Sequence, residues 1–286
     1  MRRPTVHSTM PAGAWGSATN SGKRPARRSG SRAKAVVTQV GWACAGFVLL
    51  IVIWQLVVIV AHLPADIVPA PASVAEQLVG HWATLATNAW VTLQEILVGF
   101  VLAVACGVIV AIGIAFSRTV ERLLYPLIVV SQAIPKIVVA PLFLLWFGFG
   151  LTTNVLVAML VAIFPVIVNT TLGLTAIDRD FIRLARVMGG NRRRVFVKMR
   201  LPYAMPSIFA GLKLAITFAT LGAVAGELVA GQAGLGYIVT FASGSLDAAL
   251  SFAAIVVLSV LGVVLFYAVV AVERVVLGWR PPVESR

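Results

Sequence analysis

Six apolar stretches, each long enough to cross a bilayer, constrain this chain more than any other feature. They run over Val36 to Ala61, about Asn88 to Ser117, Leu123 to Phe149, Leu151 to Ile177, about Pro206 to Gly226, and Ala248 to Leu277. A helix needs about 20 apolar residues to span the hydrocarbon core. With 60% of its 286 residues hydrophobic and only 12% charged, the chain is too apolar for a soluble domain. The fold expected is an all-α membrane protein of six transmembrane helices.

The positions of Lys and Arg orient those helices. Eight fall in the tail up to Lys34, Arg118 and Arg122 follow the second stretch, eight more lie between Arg179 and Arg200, and Arg274, Arg280 and Arg286 close the chain. The alternate loops at 61–88, 148–153 and 227–247 carry none. Cationic loops stay on the cytoplasmic side, so both termini and the central loop are expected there. The net charge of +13 would suggest a nucleic-acid partner in a soluble protein. Here its placement argues for membrane orientation and against nucleic acid.

Residues 1–34 contain no acidic residue and little to bury, which predicts a disordered basic cytoplasmic tail. The membrane domain then covers 35–280, with a short tail at 281–286. The run from Val36 is longer than a signal-peptide core and has no small-residue cleavage pattern. Cys44 and Cys106 both lie in apolar stretches, so neither a disulfide nor a metal site is expected. Gly22-Lys23 is followed by Arg24 instead of Ser or Thr, which rules out a phosphate loop there.

The long charged segment from Asp178 to Pro206 reads as two short helices. Asp178 can cap the first, where Phe181, Leu184, Ala185 and Met188 recur at helical spacing. Gly189 and Gly190 end it. Asn191 can cap a second, with Val195, Phe196 and Met199 on one side and Arg192, Arg193, Arg194 and Lys198 as donors. Pro202 and Pro206 are expected to break the chain before the next span. The bland reading is a solvated basic loop. The sharper one is a docking element that lays an apolar face on lipid or in the groove of a soluble partner.

Ala185, Gly189, Leu201 and Pro202 resemble, in spacing, the cytoplasmic "EAA" loop of ATP-binding cassette importer permeases. The resemblance implies the type I permease fold and a loop, 178–206, that seats in a cleft of the ATPase subunit. It points to Arg183, Leu184, Ala185, Met188, Gly189, Gly190, Arg193, Phe196 and Pro202 as coupling residues. Arg183 stands where the family pattern usually has Glu. Further motifs resemble the nitrate, taurine and sulfonate branch: the Pro-containing segment at 67–71, 140–148, Phe164 to Thr170, Ala225-Gly226-Glu227, and Gly231 to Tyr237.

In the first external loop, Ser73 and Glu76 have the spacing of a capping box, and Val74, Leu78, Trp82 and Leu85 repeat on one face. Either an interfacial helix anchored by Trp82 and Trp90 or an ordinary packed connector fits this pattern. Glycines 99, 107 and 113 permit close helix contacts in the second span. Pro126, Pro135 and Pro141 interrupt the third, which is expected to be a kinked helix lining a cavity.

Four ionisable residues fall in or beside apolar spans: Glu95, Lys136, Lys213 and Glu227. Such groups need a partner, water or an interface. Lys213 can snorkel to the cytoplasmic side, and Glu95 lies near the outer end where water can reach it. Lys136 and Glu227 leave two readings open, an ion pair between them or, with Pro135 and Pro141, a place on the translocation path.

The function expected is the transmembrane permease subunit of an importer for a small solute, either an organic anion such as a sulfonate or nitrate or a vitamin or pyrimidine precursor. No cofactor is expected on this chain and no catalysis by it. The resemblance implies a homodimer in the inner membrane, separate ATPase subunits that hold ATP and Mg, and an extracytoplasmic solute-binding protein. An ion-coupled secondary transporter is the alternative, but no internal repeat is visible. A membrane enzyme is disfavoured because His7, His62 and His81 are not at metal spacing.

Overall fold

The computed structural model describes residues 29–62 and 64–278. The two tails expected at 1–34 and 281–286 lie outside it, except that 29–34 open the first helix. Among the described residues there are helices and turns but no strand. The chain divides into two units at Val52. The first contains most of α1 (Ser29–Val60), and the second, from Ile53 onward, holds the elements that build the site.

In the second unit, α2 (Pro71–Gly80) and α3 (Trp82–Phe116) are followed by α4 (Arg118–Ala133), a 3-10 turn (Lys136–Val139), α5 (Ala140–Phe147) and α6 (Leu151–Thr175). Then come α7 (Arg179–Val187), α8 (Arg192–Val195), a π turn (Phe196–Arg200), α9 (Leu201–Ala230), α10 (Leu235–Gly244) and α11 (Ala248–Val276). Helices at 82–116, 151–175, 192–230 and 248–276 are long and apolar enough to cross a membrane. Shorter apolar helices lie at 48–60, 136–147 and 235–244.

The core is the packing of α6 against α3 and α9. Lipid tails are as apolar as Leu, so association here depends on close van der Waals fit. Small residues allow it. A Cβ on Gly99 would lie 2.6 Å from Ala158 Cβ, one on Gly107 2.9 Å from Val166 Cβ, and one on Gly222 2.7 Å from Ala158 Cα. Gly113 does not join that seam, since a Cβ there would meet Val120 at an ordinary 3.7 Å. Ala103, Ala162, Ala215, Ala219 and Ala223 complete the interior.

Three boundaries differ from those read in the sequence, all because of proline. The third stretch is interrupted instead of kinked: α4 stops at Ala133, Ile134 and Pro135 are extended, and the helix resumes through the 3-10 turn to α5. Pro135 has no N–H to continue the ladder and biases its predecessor away from helix. Conversely, Pro202 and Pro206 do not break the chain. Pro202 occupies the first turn of α9, where a missing N–H costs nothing, and the π turn before it lets the helix run from Arg192 to Ala230. Likewise Pro71 starts α2 three residues early, so Ala70 is its N-cap and Ser73 lies inside the helix without a capping role.

The connector reading of α2 holds. Val74 and Leu85 are buried in a cluster with Leu235, Ile238, Ala253 and Ala254, and Leu78 packs against it, while Trp82 and Trp90 face outward.

Candidate functional site

The central loop forms as its caps dictate. Asp178 accepts the Asp180 N–H at 3.0 Å to begin α7, and Asn191 accepts the Arg194 N–H at 2.8 Å to begin α8. Between them, Gly190 N–H donates to Ala185 O at 2.9 Å and Gly189 N–H to Arg186 O at 3.0 Å. This pair of bonds is a Schellman ending, which requires the left-handed backbone that Gly189 adopts at φ +85°. Gly190 is needed for a different reason, because a Cβ there would lie 2.6 Å from Ala185 O.

The two faces of α7 differ. Phe181, Leu184, Val187 and Met188 are exposed, the last two by more than 80% of their surface or at 80%. Ile182 turns inward and is buried, and Ala185 sits half-buried over Gly190. Ala185 is therefore not on the outward apolar face with Leu184 and Met188. Phe196 also points inward, its ring 4.9 Å from that of Phe116 at the end of α3, beside buried Val195. Arg193 is exposed. Arg183 makes an exposed ion pair with Asp180 at 3.3 Å, of the kind that contributes little in water.

A second cluster is built around Glu227, near the far end of α9. Its Oε1 accepts the Thr92 hydroxyl at 2.5 Å and its Oε2 the Gly236 N–H at 2.5 Å. Thr92 in turn accepts the Leu235 N–H at 2.8 Å, and Asn88 Oδ1 accepts the Gly234 N–H at 2.7 Å. Three side chains thus satisfy the first N–H groups of α10, which would otherwise be orphans in a membrane interior. The glycines of the Gly231–Tyr237 motif make room for this. A Cβ on Gly234, which sits at φ +107°, would overlap the Glu227 carboxylate, and one on Gly236 would lie 2.8 Å from Glu227 Oε2.

Glu95 belongs to the same cluster. It is only 1% exposed, so it is not hydrated at an outer interface as its position suggested. Its Oε1 accepts from Asn154 Nδ2 at 2.8 Å, while its Oε2 and Asn154 Oδ1 are buried without a hydrogen-bond partner. Thr92, Asn88 and Asn154 were missed in the sequence. Asn88, Thr92 and Glu95 at i, i+4 and i+7 form a polar stripe on an otherwise apolar helix, a signal that was there to be used.

Lys136 and Glu227 do not pair. Lys136 Nζ lies 4.5 Å above the Phe164 ring, a cation–π contact, and Glu227 is enclosed by α3 and α10. Pro135 and Pro141 are exposed in the single chain, Lys136 is half-buried and Glu227 is buried. Lys213 bonds Glu273 of α11 at 2.9 Å with both side chains largely covered. Removing either partner strands a partly buried charge, so Lys213→Ala and Glu273→Ala should each cost roughly 1–3 kcal/mol. The double variant should cost clearly less than their sum, and thermal unfolding of the four proteins measures it. Additive losses would show that the pair is not coupled.

Residues 103–277 match the family described as "Binding-protein-dependent transport system inner membrane component". A probable ABC transporter permease protein of Haemophilus influenzae is 36% identical over 77% of this chain and 90% of its own length. The riboflavin transport system permease protein RibX of Chloroflexus aurantiacus is 37% identical over 81% of this chain and 87% of its own. Among solved structures, an inward-facing MetNI methionine ABC transporter aligns with a TM-score of 0.61 at 19% identity, covering 69% of this chain and 98% of that one.

Proposed function

The chain belongs to the family of binding-protein-dependent transport system inner membrane components, the permease subunits of ATP-binding cassette importers, and on that premise we propose how it works. It pairs with a second copy of itself. Each copy seats α7 in an ATPase subunit that binds ATP and Mg, and an extracytoplasmic solute-binding protein delivers the solute at the opposite face. The chain itself performs no hydrolysis. Both termini and the 178–206 loop face the cytoplasm.

The observation that carries this reading is the outward face of α7. Phe181, Leu184, Val187 and Met188 stand exposed on an element otherwise rich in charge, and helix-in-groove docking buries anchors of this type. A push on that face has a direct route into the membrane. The helix from Arg192 to Ala230 is continuous over 39 residues, so about 50 Å of it, at 1.5 Å per residue, links the loop to Glu227 and α10. Closure of the ATPase pair would tilt this helix and with it the Glu227 cluster, opening the path outward. The interrupted third stretch, with Pro135, Lys136 and Pro141, is proposed to line that path.

The solute is a small polar molecule. Relatives are named for riboflavin, formylaminopyrimidine, aliphatic sulfonates, taurine and nitrate, and the separate binding protein is expected to make most of the selection among such solutes.

Two measurements test the proposal. Co-expression with an ATPase encoded nearby should give a complex whose uptake requires ATP and the binding protein, and failure of any ATPase to co-purify would remove its main support. Single cysteines near Gly80 or Ser243 should react with an impermeant reagent in intact cells, and one at position 193 should not. Labelling at 193 would reverse the orientation.

A further inference from the structure

Behind the docking face, between α7, α8 and the end of α3, lies a pocket of about 120 Å³. Its apolar wall comes from Phe116, Phe196 and Ile182, and its polar rim from Arg186, Arg192 and Arg200. Among the described residues no carboxylate lines it. Asp180, on the same short helix, is turned to Arg183. Arg200 is held in place by donating to Ala115 O at 3.4 Å, close enough to Arg186 for the two like charges to act on each other. Three guanidiniums thus converge on one concavity, and no group of opposite sign lines it among the described residues. A planar guanidinium fork suits phosphate oxygens. The depth is also informative, since the pocket opens at Phe116, the last residue of a 35-residue apolar helix, where headgroups meet water. Basic pockets at that level suit anionic lipid headgroups.

We propose that the Arg186, Arg192 and Arg200 pocket is a binding site for a phosphate oxyanion, carried by the headgroup of an anionic phospholipid, that braces the inner face of α7 against α3. Phosphate oxygens take the three guanidiniums, and the Phe116–Phe196 wall takes the apolar part of the glycerol. The site is distinct from the outward face of α7, so its occupancy sets how firmly α7 is presented without competing for the ATPase groove. The inference needs only the pocket and stands or falls apart from the identity of the ATPase.

The test uses the full-length chain purified in detergent and titrated with phosphatidylglycerol, phosphatidylcholine or inorganic phosphate, with bound species counted by native mass spectrometry. Phosphatidylglycerol should bind at least tenfold tighter than phosphatidylcholine, and less tightly as salt is raised. At roughly fivefold per Arg, the Arg186→Gln/Arg192→Gln double variant should weaken that binding about 30-fold. Arg194→Gln/Lys198→Gln removes the same charge from residues that do not line the pocket and should leave the binding within twofold. Equal weakening by both pairs would mean diffuse attraction and overturn the site. Binding of inorganic phosphate with no preference for the anionic lipid would place the source in solution and overturn the lipid assignment. Unchanged lipid binding in Arg186→Gln/Arg192→Gln, with loss of a co-purifying ATPase, would hand the pocket to that partner and overturn the proposal.

Discussion

Gly189→Val is expected to abolish ATP-driven uptake while leaving the chain folded in the membrane. The residue sits at φ +85°, inside the Schellman ending of α7, where a β-branched side chain is strained by about 1–3 kcal/mol. Nothing lies within 4 Å of where its Cβ would be, so the variant introduces no clash into the membrane core. Strain alone acts, and the loop relieves it by giving up the bonds to Arg186 and Ala185. Leu184 and Met188 then lose their common presentation. A penalty of that size lowers the population of the docking-ready loop roughly 5- to 150-fold. The variant should elute as the unmodified protein does in size-exclusion chromatography, fail to retain its ATPase and take up no solute. Arg183→Glu supplies a companion. Its exposed bond to Asp180 becomes a like-charge pair, and the ATPase contact expected for Arg183 is acidic or a carbonyl, so association should weaken instead of gaining a family-like contact. Normal uptake by Gly189→Val with its ATPase bound would sink the docking role of this loop.

Glu227→Ala should be the most damaging single change outside the loop. It removes the acceptor of the Gly236 N–H and the nearer of two acceptors of the Thr92 hydroxyl, which keeps Asn88 O at 3.2 Å, and a buried donor left without a partner costs about 1–3 kcal/mol. Lipid offers no substitute acceptor. We expect a net loss of about 2–4 kcal/mol and a fall in Tm of roughly 5–10 °C, with α10 released from α3 and α9 and uptake lost. Glu227→Gln keeps an acceptor for Gly236 and should lie between Ala and the unmodified protein. Gly236→Ala should resemble Glu227→Ala, because its Cβ would lie 2.8 Å from Glu227 Oε2 and 2.9 Å from Glu227 Cβ. Equal Tm values for the Ala and Gln variants would refute the capping role.

The residues that determined their own structure did so through local physics. Four of the apolar runs, the caps Asp178 and Asn191, and the Gly189-Gly190 ending each depend on neighbours within a few positions, and each formed as read. The "EAA" spacing could be recognised for the same reason, since it records a turn and a helix start in one short segment. Local rules also had an internal conflict at proline. The same lack of an N–H interrupted the third stretch at Pro135 and was harmless at Pro202, where it fell in a first turn, and only the surrounding helix decides which occurs.

Pairing of charges was beyond the sequence. Glu227 chose the N-terminus of α10 and Thr92, 135 residues away, over Lys136, and Lys213 chose Glu273 across 60 residues. Composition can say that a buried carboxylate needs donors, but which donors arrive depends on how α3, α6 and α9 are seated against one another. That seating rests on a seam of small residues. Gly99 and Gly107 face α6 and Gly113 does not, a difference of helix rotation that identical residue type conceals. The split of α7 into an outward apolar face and an inward one over the arginine pocket arose in the same way. Ile182 and Leu184 are equally apolar, and only the packing of α7 against α8 and over the pocket makes one buried and leaves the other exposed.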